Sequence, residues 1–485
     1  MTDLRSEAAR PALLDALICA YLVLPLLLFC GWFKWPVALV LAALILQGVH
    51  NALRSAWRGG FEVRPATVIV IAVVSLGWVA LSGVGHFAFA NLDWVTRDAV
   101  LRDLTDTAWP PRYEADGSLP TILRAPIAYY LPAAALGSVL GLQAADLLLY
   151  LWTVLGFVLF LCAVTTLFTT NRQRFIACFL MIGFGGLDLI GVHLLEGGWA
   201  TWGEHVEWWA EFAQYSANST LMFWVPNHAL PAWLGLALVL RLWKQPGLAR
   251  ITPLLAAAIP LWSPLSALGL APFFIAGLNW RHDLRLIFSL RYSWPLIAIG
   301  LLVARYITMD TQAVPHGWNI NFFSKPSIFW SVYLAFCFLE FGLLALVLYP
   351  LRTYDLKLGI ALAILLVLPF FRFGPGNDLV MRCSIPALAI LALATVRPLA
   401  EGGHTLWRYA LIVVLGIGLL GAAQEPERAL MRPRWALTGK TLVEISPGWL
   451  PEHYAGQLNQ AGLTLLMREP TLVRPDAVAT AKPPH

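Results

Sequence analysis

The chain has 485 residues, of which 59% are hydrophobic and only 13% are charged, and it contains 22 tryptophans. A soluble domain could not bury that much apolar surface, so the composition argues against a soluble protein and indicates that lipid surrounds most of the chain. The formal net charge of +5 is small and spread along loops, which argues against nucleic acid as a partner.

Long apolar runs continue without polar alternation, and this pattern predicts an all-α polytopic membrane protein. Several runs are shorter than the ~20 residues that cross a bilayer, which indicates tilted or kinked helices. The run 251–278 is interrupted by Pro264, so it is either one long helix or two short ones. The other predicted spans are 13–32, 36–53, 65–84, 145–168, 175–195, 229–243, 295–309, 328–350, 357–371, 384–398 and 408–424.

The positions of arginine and lysine predict how these spans are oriented. Basic residues cluster in the loops 54–64, 172–174 and 241–250, and the positive-inside rule places such loops in the cytoplasm. Loop 279–294 is also basic, and it lies on the same side only if 251–278 crosses the membrane twice. The total is then about 13 spans, with the N-terminus inside and the C-terminus outside.

This topology turns all the long polar segments outward. It divides the chain into a transmembrane domain, residues 1–424, and a small extracytoplasmic C-terminal segment, residues 425–485. Residues 126–141 contain paired tyrosines and prolines, so we expect them to lie in the outer interface instead of crossing. The predicted outer loops of the transmembrane domain are 85–144, 196–228, 310–327 and 372–383.

The segment "NLDWVTRDAVLRDLTDTAWPP", residues 91–111, is far more charged than its surroundings. It predicts a helix that lies on the outer membrane surface, with Trp94 and Leu101 on an apolar stripe. The carboxylates of Asp98, Asp103 and Asp106 are expected to face water. A charged, tryptophan-bearing helix just after an apolar span is also a candidate for chemistry at the membrane surface.

Several segments of the chain carry a family resemblance. Their order along the sequence resembles the GT-C class of integral-membrane glycosyltransferases, and most closely a group of bacterial GT-C-like proteins with a "DW…H…L.DL…WP" segment. The residues that match this segment are Asp93, Trp94, Leu101, Asp103, Leu104, Trp109 and Pro110. The further segments are "GGLDLIG" (185–191), "EWW" (207–209), "FWVPNHALPAWL" (223–234), "WSPLSALGLAPF" (262–273), "FLEFG" (338–342) and "GNDLVMRCSIPAL" (376–388).

This resemblance implies a GT-C-like helical bundle with juxtamembrane helices in the first large outer loop. It also implies an inverting transfer of a sugar from a polyprenyl-phosphate donor to a lipid-linked glycan or envelope polysaccharide. The protein would sit among the lipids of the bacterial inner membrane, with its active site facing the periplasm, and would need no cofactor. The usual histidine of the segment is Arg97 here, so a catalytically degenerate assembly partner is an alternative.

Asp93 is the candidate catalytic residue. Inverting transfer needs one base to take the proton of the acceptor hydroxyl as it attacks the anomeric carbon. The leaving group is already a phosphate, so a second, protonating carboxyl group is not required, unlike in a glycosidase. The alternative is that Asp93 caps its helix or pairs with Arg97 at i+4.

A lipid phosphate needs cations at the outer membrane surface, and Arg382, Lys325 and Arg124 are the candidates. Arg382 is favoured because it follows a Gly-Pro-Gly turn and precedes an apolar helix, and because arginine holds phosphate oxygens with two hydrogen bonds. The alternative is an ordinary arginine at the end of a span. Asn377 and Asp378 are expected to orient Arg382 or the sugar, or only to shape the turn.

Other polar residues are expected to line the substrate cavity. Charges inside a membrane are costly, so Asp188 and Glu340 form either a structural polar cluster or a proton pathway. His205 lies between Glu204 and Glu207, but this spacing is no recognised metal motif, so no metal site is predicted and any need for a divalent ion stays open. The residues expected to line the cavity are Trp94, Arg97, Asp188, His205, Glu207, His228, Glu340, Asn377 and Asp378.

Three classes of function compete with the transferase. A lipid or glycan transporter or flippase would distribute charge across the membrane, whereas here charge concentrates in the predicted outer loops. An O-antigen ligase or polymerase would place its large loop late in the chain, whereas here the largest polar loop comes early. A non-catalytic relative would keep the fold and lack a working base.

Overall fold

The computed structural model describes residues 12–54, 56, 60–114, 121–401, 405–446, 454–458 and 461–474. Helices dominate this part of the chain, and its strands are all short. The all-α architecture predicted from the apolar runs is therefore confirmed.

Six helices in the described part of the chain are long and apolar enough to cross a membrane. A seventh span arises if Trp280–Ser289 and Ser293–Ile307, which meet at 90°, are counted together. Shorter apolar helices accompany them, and together they support a membrane protein. The six long segments are Leu13–Trp32, Trp35–Leu53, Leu142–Thr166, Asn171–Leu195, Pro326–Leu348 and Leu406–Met431.

The helices follow the apolar runs of the sequence. In the first half of the chain they are α1 (Leu13–Phe29), α2 (Trp35–Leu53), α3 (Pro65–Leu81), α4 (Asp93–Asp106), α5 (Leu131–Leu140), α6 (Leu142–Thr166), α7 (Asn171–Gly183), α8 (Asp188–Glu196), α9 (Asn218–Trp224) and α10 (Pro226–Arg241). In the second half they are α11 (Pro246–Trp262), α12 (Pro264–Gly277), α13 (Trp280–Ser289), α14 (Ser293–Ile307), α15 (Phe329–Cys337), α16 (Leu343–Leu348), α17 (Leu356–Val367), α18 (Asp378–Cys383), α19 (Ile385–Ala394), α20 (Val396–Ala400), α21 (Leu406–Ala422), α22 (Gln424–Met431), α23 (Leu442–Ile445) and α24 (Ala461–Leu466).

Proline defines the start of many helices. It occupies the first turn of α2, α3, α10 and α12, where a backbone N–H would have no partner within the helix. Pro264 explains the fate of the ambiguous run 251–278, because the chain breaks at Ser263, whose side chain caps α12 by accepting from the Ser266 N–H. The run therefore forms two helices.

A small sheet joins the first outer loop to the C-terminal segment. β1 (Pro111–Tyr113) and β2 (Thr121–Leu123) pair antiparallel in the first outer loop. β5 (Ala455–Gln457) adds to β2, and β6 (Thr471–Leu472) adds parallel to β1, so the strand order is β5-β2-β1-β6. These two parts of the chain therefore lie on the same side of the helical bundle.

The turn after α1 belongs to this side too. The backbone N–H of Lys34 donates to the carbonyl of Leu466, and the N–H of Arg468 donates to the carbonyl of Trp32. A second sheet, in which β3 (His316–Trp318) pairs antiparallel with β4 (Phe371–Phe373), joins two further predicted outer loops. We call the side that carries the four-stranded sheet the capped face.

The loops predicted to be cytoplasmic contact one another in the same way. Arg241, at the end of α10, donates to Asp15 at 2.6 Å and also to Glu62 and Thr166. The ammonium of Lys357 lies 5.0 Å from the ring centre of Trp243. We call this side the opposite face.

The water-facing environment predicted for the carboxylates of α4 is wrong for Asp98 and Asp103, whereas the Asp106 side chain is half-exposed. The helix forms as predicted, but Asp98 is 1% exposed and Asp103 is 0% exposed, so this part of α4 is no water-facing surface. Each buried carboxylate has partners instead, because His86 binds Asp98, and Tyr113 and the Leu442 N–H donate to Asp103. The C-terminal segment packs over α4 and supplies part of this environment.

Candidate functional site

Two adjacent cavities lie at the capped face, and we call them cavity I and cavity II. Cavity I has a volume of about 460 Å³ and is lined by α4, by the loop before α9 and by α18. Cavity II has a volume of about 300 Å³. Asp378, Arg382 and Tyr454 line both, so these three side chains form the wall between the cavities.

Asp93 lies at the mouth of cavity I. It is the first residue of α4, and its backbone N–H donates to Asn91 Oδ1 at 3.0 Å. Its side chain is 47% exposed and accepts from Arg97 Nη2 at 3.4 Å, which is a long, weak ion pair. The predicted i+4 pair is therefore present, yet the carboxylate also faces the cavity.

Arg97 places a fixed positive charge in the wall of cavity I. Its side chain is only 2% exposed. Nη1 donates to Asn227 Oδ1 at 2.8 Å and to the Tyr130 hydroxyl at 3.4 Å. Because Tyr130 and Asn227 line cavity II, this guanidinium links the two cavities. Arg97 thus has a defined position in the wall of the site.

Arg382 lies in α18 at the wall between the cavities. Its Nη2 donates to Asp378 Oδ1 at 2.6 Å, one helical turn earlier. Asn377 adopts a left-handed conformation with φ of 55° and donates to the Phe212 carbonyl at 2.8 Å, which fixes the turn that begins α18. Asp378 therefore orients Arg382, and Asn377 shapes the turn without lining either cavity.

Two acidic residues support the lining of cavity I from behind. His205 lines the cavity and lies 3.4 Å from Glu425. Burial lowers the pKa of His205, but the hydrogen bond to Glu425 and the charge of Glu207 outweigh burial and raise it. Glu207 is buried and accepts from Gln214 at 2.8 Å and from Thr220 at 2.5 Å, both of which line the cavity.

The other predicted site residues divide into two groups. Arg124 and His228 line cavity II, where His228 Nδ1 lies 2.7 Å from Ser263 Oγ and Arg124 Nη1 donates to a carbonyl. Trp94 and Lys325 line neither cavity. Trp94 is fully buried, and its indole N–H donates to the Phe223 carbonyl at 3.1 Å, which anchors α4 to α9. Lys325 lies on an exposed loop.

Asp188 and Glu340 also lie outside both cavities. They are buried in two of the candidate membrane spans, and Trp209 donates from its indole N–H to Glu340 Oε1 at 2.9 Å. The structure therefore does not bring them together with Asp93 and Arg382, as the sequence analysis expected.

Tyr454 is a site residue that the sequence analysis did not predict. Its backbone carbonyl accepts from the Arg124 N–H at 2.7 Å, next to the pairing of β2 and β5, and this places its ring between the cavities. The contact joins residues more than 300 positions apart. A lone tyrosine in a polar tail gives no local signal of such a role.

Among the described residues, no group of three or more His, Cys, Asp or Glu side chains is placed to hold a metal ion. The arrangement instead combines the half-exposed carboxylate of Asp93, the guanidinium groups of Arg97, Arg124 and Arg382, and aromatic rings in one pair of cavities. The chain matches no protein-family model, no curated protein and no solved structure.

Proposed function

We propose that the protein is an inverting glycosyltransferase that uses a polyprenyl-phosphate sugar at the capped face. The observation that carries this proposal is that Asp93, Arg97 and Arg382 line one cavity of a membrane-type helical bundle. A carboxylate and two guanidinium groups are the groups that transfer from a lipid phosphate requires.

In the proposed reaction, the acceptor hydroxyl attacks the anomeric carbon of the donor sugar. A new carbon–oxygen bond forms as the bond to the phosphate oxygen breaks, and Asp93 takes the hydroxyl proton. Arg382 and Arg97 stabilise the negative charge that returns to the phosphate. Trp208 and Trp224 line the same cavity and offer aromatic faces on which a sugar ring can stack.

The wider proposal follows the family resemblance. The bundle would be GT-C-like with about 13 crossings, in the inner membrane of a bacterium, with the capped face toward the periplasm. The acceptor would be a lipid-linked glycan or an envelope polysaccharide. Cavities I and II lie side by side, so a donor and an acceptor have room to meet at the Asp378–Arg382–Tyr454 wall.

Donor consumption tests this function directly. The purified protein is incubated with a panel of polyprenyl-phosphate sugars, and the released polyprenyl phosphate is measured by mass spectrometry. We expect at least one donor to be consumed, with water or an added glycolipid as acceptor. A folded protein that consumes no member of a broad panel and binds no polyprenyl phosphate would contradict the proposal.

Binding of a polyprenyl phosphate tests the role of Arg382. Lysine keeps the charge but cannot donate two parallel hydrogen bonds, so Arg382→Lys should weaken binding by about tenfold. The matched control is Arg305→Lys, since Arg305 is exposed on α14 and lines neither cavity. Equal binding by both variants would remove Arg382 from the phosphate site.

One observation favours a second candidate, a proton-coupled transporter of lipids or glycans. Asp188 and Glu340 lie within candidate spans, and ionisable residues at that depth often mark ion pathways. Such a transporter would move its substrate without breaking the sugar–phosphate bond. Transport into vesicles that survives Asp93→Asn and is lost in Asp188→Asn would favour it over the transferase.

A further inference from the structure

Two carboxyl groups meet inside the helical bundle, away from both cavities. Asp188 is the first residue of α8 and is 1% exposed, and Glu340 is 3% exposed. Both side chains face Gly186, where an added Cβ would collide with Glu340 Oε2 and lie 3.4 Å from Asp188 Oδ2, so the two carboxyl groups are neighbours across one glycine. One carboxylate cannot donate to another, so a hydrogen bond between these neighbours requires a proton on one of them.

In the described part of the chain, no cation compensates the two acids. Among the described residues, no lysine, arginine or histidine side chain forms an ion pair with either carboxyl group. Asp188 Oδ1 and Glu340 Oε2 are buried and accept from no N–H or hydroxyl donor of the residues that the structure describes. The titratable groups of the elements packed around the pair are the Glu207 carboxyl, the Cys337 thiol and the Tyr215 hydroxyl.

The backbone is arranged to bring these acids together. Glu340 lies in a π-helical turn, Phe338–Gly342, between α15 and α16, and such turns often occur at functional sites. Gly186 lies beside both carboxyl groups, and a Cβ there would collide with Glu340 Oε2. A glycine at this position therefore leaves the space in which the two side chains meet.

We propose that Asp188 and Glu340 form a proton-binding site that holds one proton between the two carboxyl groups. Two adjacent carboxylates without a cation cannot both be ionised in a buried place, and lipid around the spans makes this still more costly. A shared proton supplies the missing donor and removes half of the charge. The inference does not depend on the proposed transferase.

The site is connected to cavity I through one loop. Trp209 donates to Glu340, and Glu207, two residues earlier, accepts from the cavity residues Gln214 and Thr220. Gain or loss of the proton changes the electrostatic potential at Glu207, so protonation of the pair and binding in cavity I should influence each other.

Infrared difference spectroscopy tests the proposal. Protonated and ionised carboxyl groups have separate carbonyl bands, so wild type is compared with Asp188→Asn, Glu340→Gln and the double variant near neutral pH. We expect the wild type to show a protonated carboxyl band that is lost in all three variants, since an amide N–H replaces the shared proton in each single variant. As the pH rises, the shared proton is lost, so this protonated carboxyl band of the wild type should vanish.

The control is Asp355→Asn, because Asp355 is half-exposed and pairs with Lys357 at 2.6 Å. This variant should lose only an ionised carboxylate band. The proposal is overturned if the double variant loses two ionised bands and no protonated one. A thermal stability that rises with sodium but not with choline, in wild type only, would also overturn it by showing a bound cation.

Discussion

At the scale of single residues, Asp93 and Asp106 form a natural comparison. They lie at opposite ends of α4, each with a side chain that is 47% exposed and each paired at 3.4 Å with an arginine one turn away. Only Asp93 lines a cavity. Any difference between their variants therefore reports on the cavity, because exposure and ion pairing are matched.

Asp93→Asn keeps the size of the side chain and removes the proton acceptor. If Asp93 is the base, transfer should fall on the order of 10²–10⁴-fold, with thermal stability nearly unchanged. The measurement is the initial rate with whichever donor the panel identifies. Asp106→Asn should retain the wild-type rate.

The opposite result has a clear meaning. Asparagine caps a helix about as well as aspartate, so a cap or a surface pair would tolerate Asp93→Asn. Full activity in that variant would show that Asp93 is structural, and the reaction would need another base.

At the scale of elements, α4 shows what the sequence could and could not predict. Its helical span follows from local residue preferences, and the charged segment 91–111 marked it correctly. Its burial does not follow, because Asp98 and Asp103 are neutralised or bonded by groups from other elements, and Arg102 donates to the carbonyl of Arg474, 372 positions away. A charged stretch of sequence predicts a water-exposed helix, because the residues that pair with its carboxylates are distant in the chain and cannot be recognised from the stretch itself.

The partner of Asp98 is also the basis of a pH prediction. His86 lies 3.1 Å from Asp98 in α4 and 3.1 Å from Asp146 in α6, with the Trp435 ring packed against it. Burial lowers the pKa of His86, but the hydrogen bonds to the two carboxylates outweigh burial and raise it to about 9. The charged imidazole therefore joins the loop after α3 to two helices.

The sign of the effect follows from the raised pKa. The contribution of His86 to stability is fully present below its ordinary pKa of 6.5 and is lost as the pH rises through about 9. The melting temperature of wild type should fall across this window. His86→Gln should lower the stability near pH 6 by on the order of 2 kcal/mol and flatten the decline.

Two features keep this measurement specific. Burial raises the pKa of Asp103 from 3.8 to about 7, against the hydrogen bonds from Leu442 and Tyr113. Its effect is to lower the stability as the pH rises from about 3.8 to about 7, so it adds little to the decline above pH 7. His282→Gln is the control, since the His282 side chain is 70% exposed beside Asp283. A decline that persists unchanged in His86→Gln would assign it to another group.

At the scale of the whole molecule, the contacts between loops agree with the predicted topology. Segments predicted to be outside meet one another in the four-stranded sheet and around the cavities, and those predicted to be inside meet at Arg241 and Trp243. The charge pattern placed the loops that meet at each face in the same group, because basic residues can be counted in each loop without knowing its contacts. It could not place Tyr454 between the cavities, which requires the tail to fold back onto β2.

Cysteine labelling in intact cells tests which face is outside. Gly439 is exposed at the capped face, where a side chain meets open space, and Thr169 is exposed in the loop 167–170 of the opposite face. A membrane-impermeant maleimide should label Gly439→Cys in intact cells and Thr169→Cys only after lysis. The native cysteines give a low labelling background, since five of the six are buried and only Cys178 is partly exposed. Labelling of Thr169→Cys alone in intact cells would show that the capped face lies toward the cytoplasm. Asp93 and Arg382 would then face a compartment in which soluble nucleotide sugars are the expected donors.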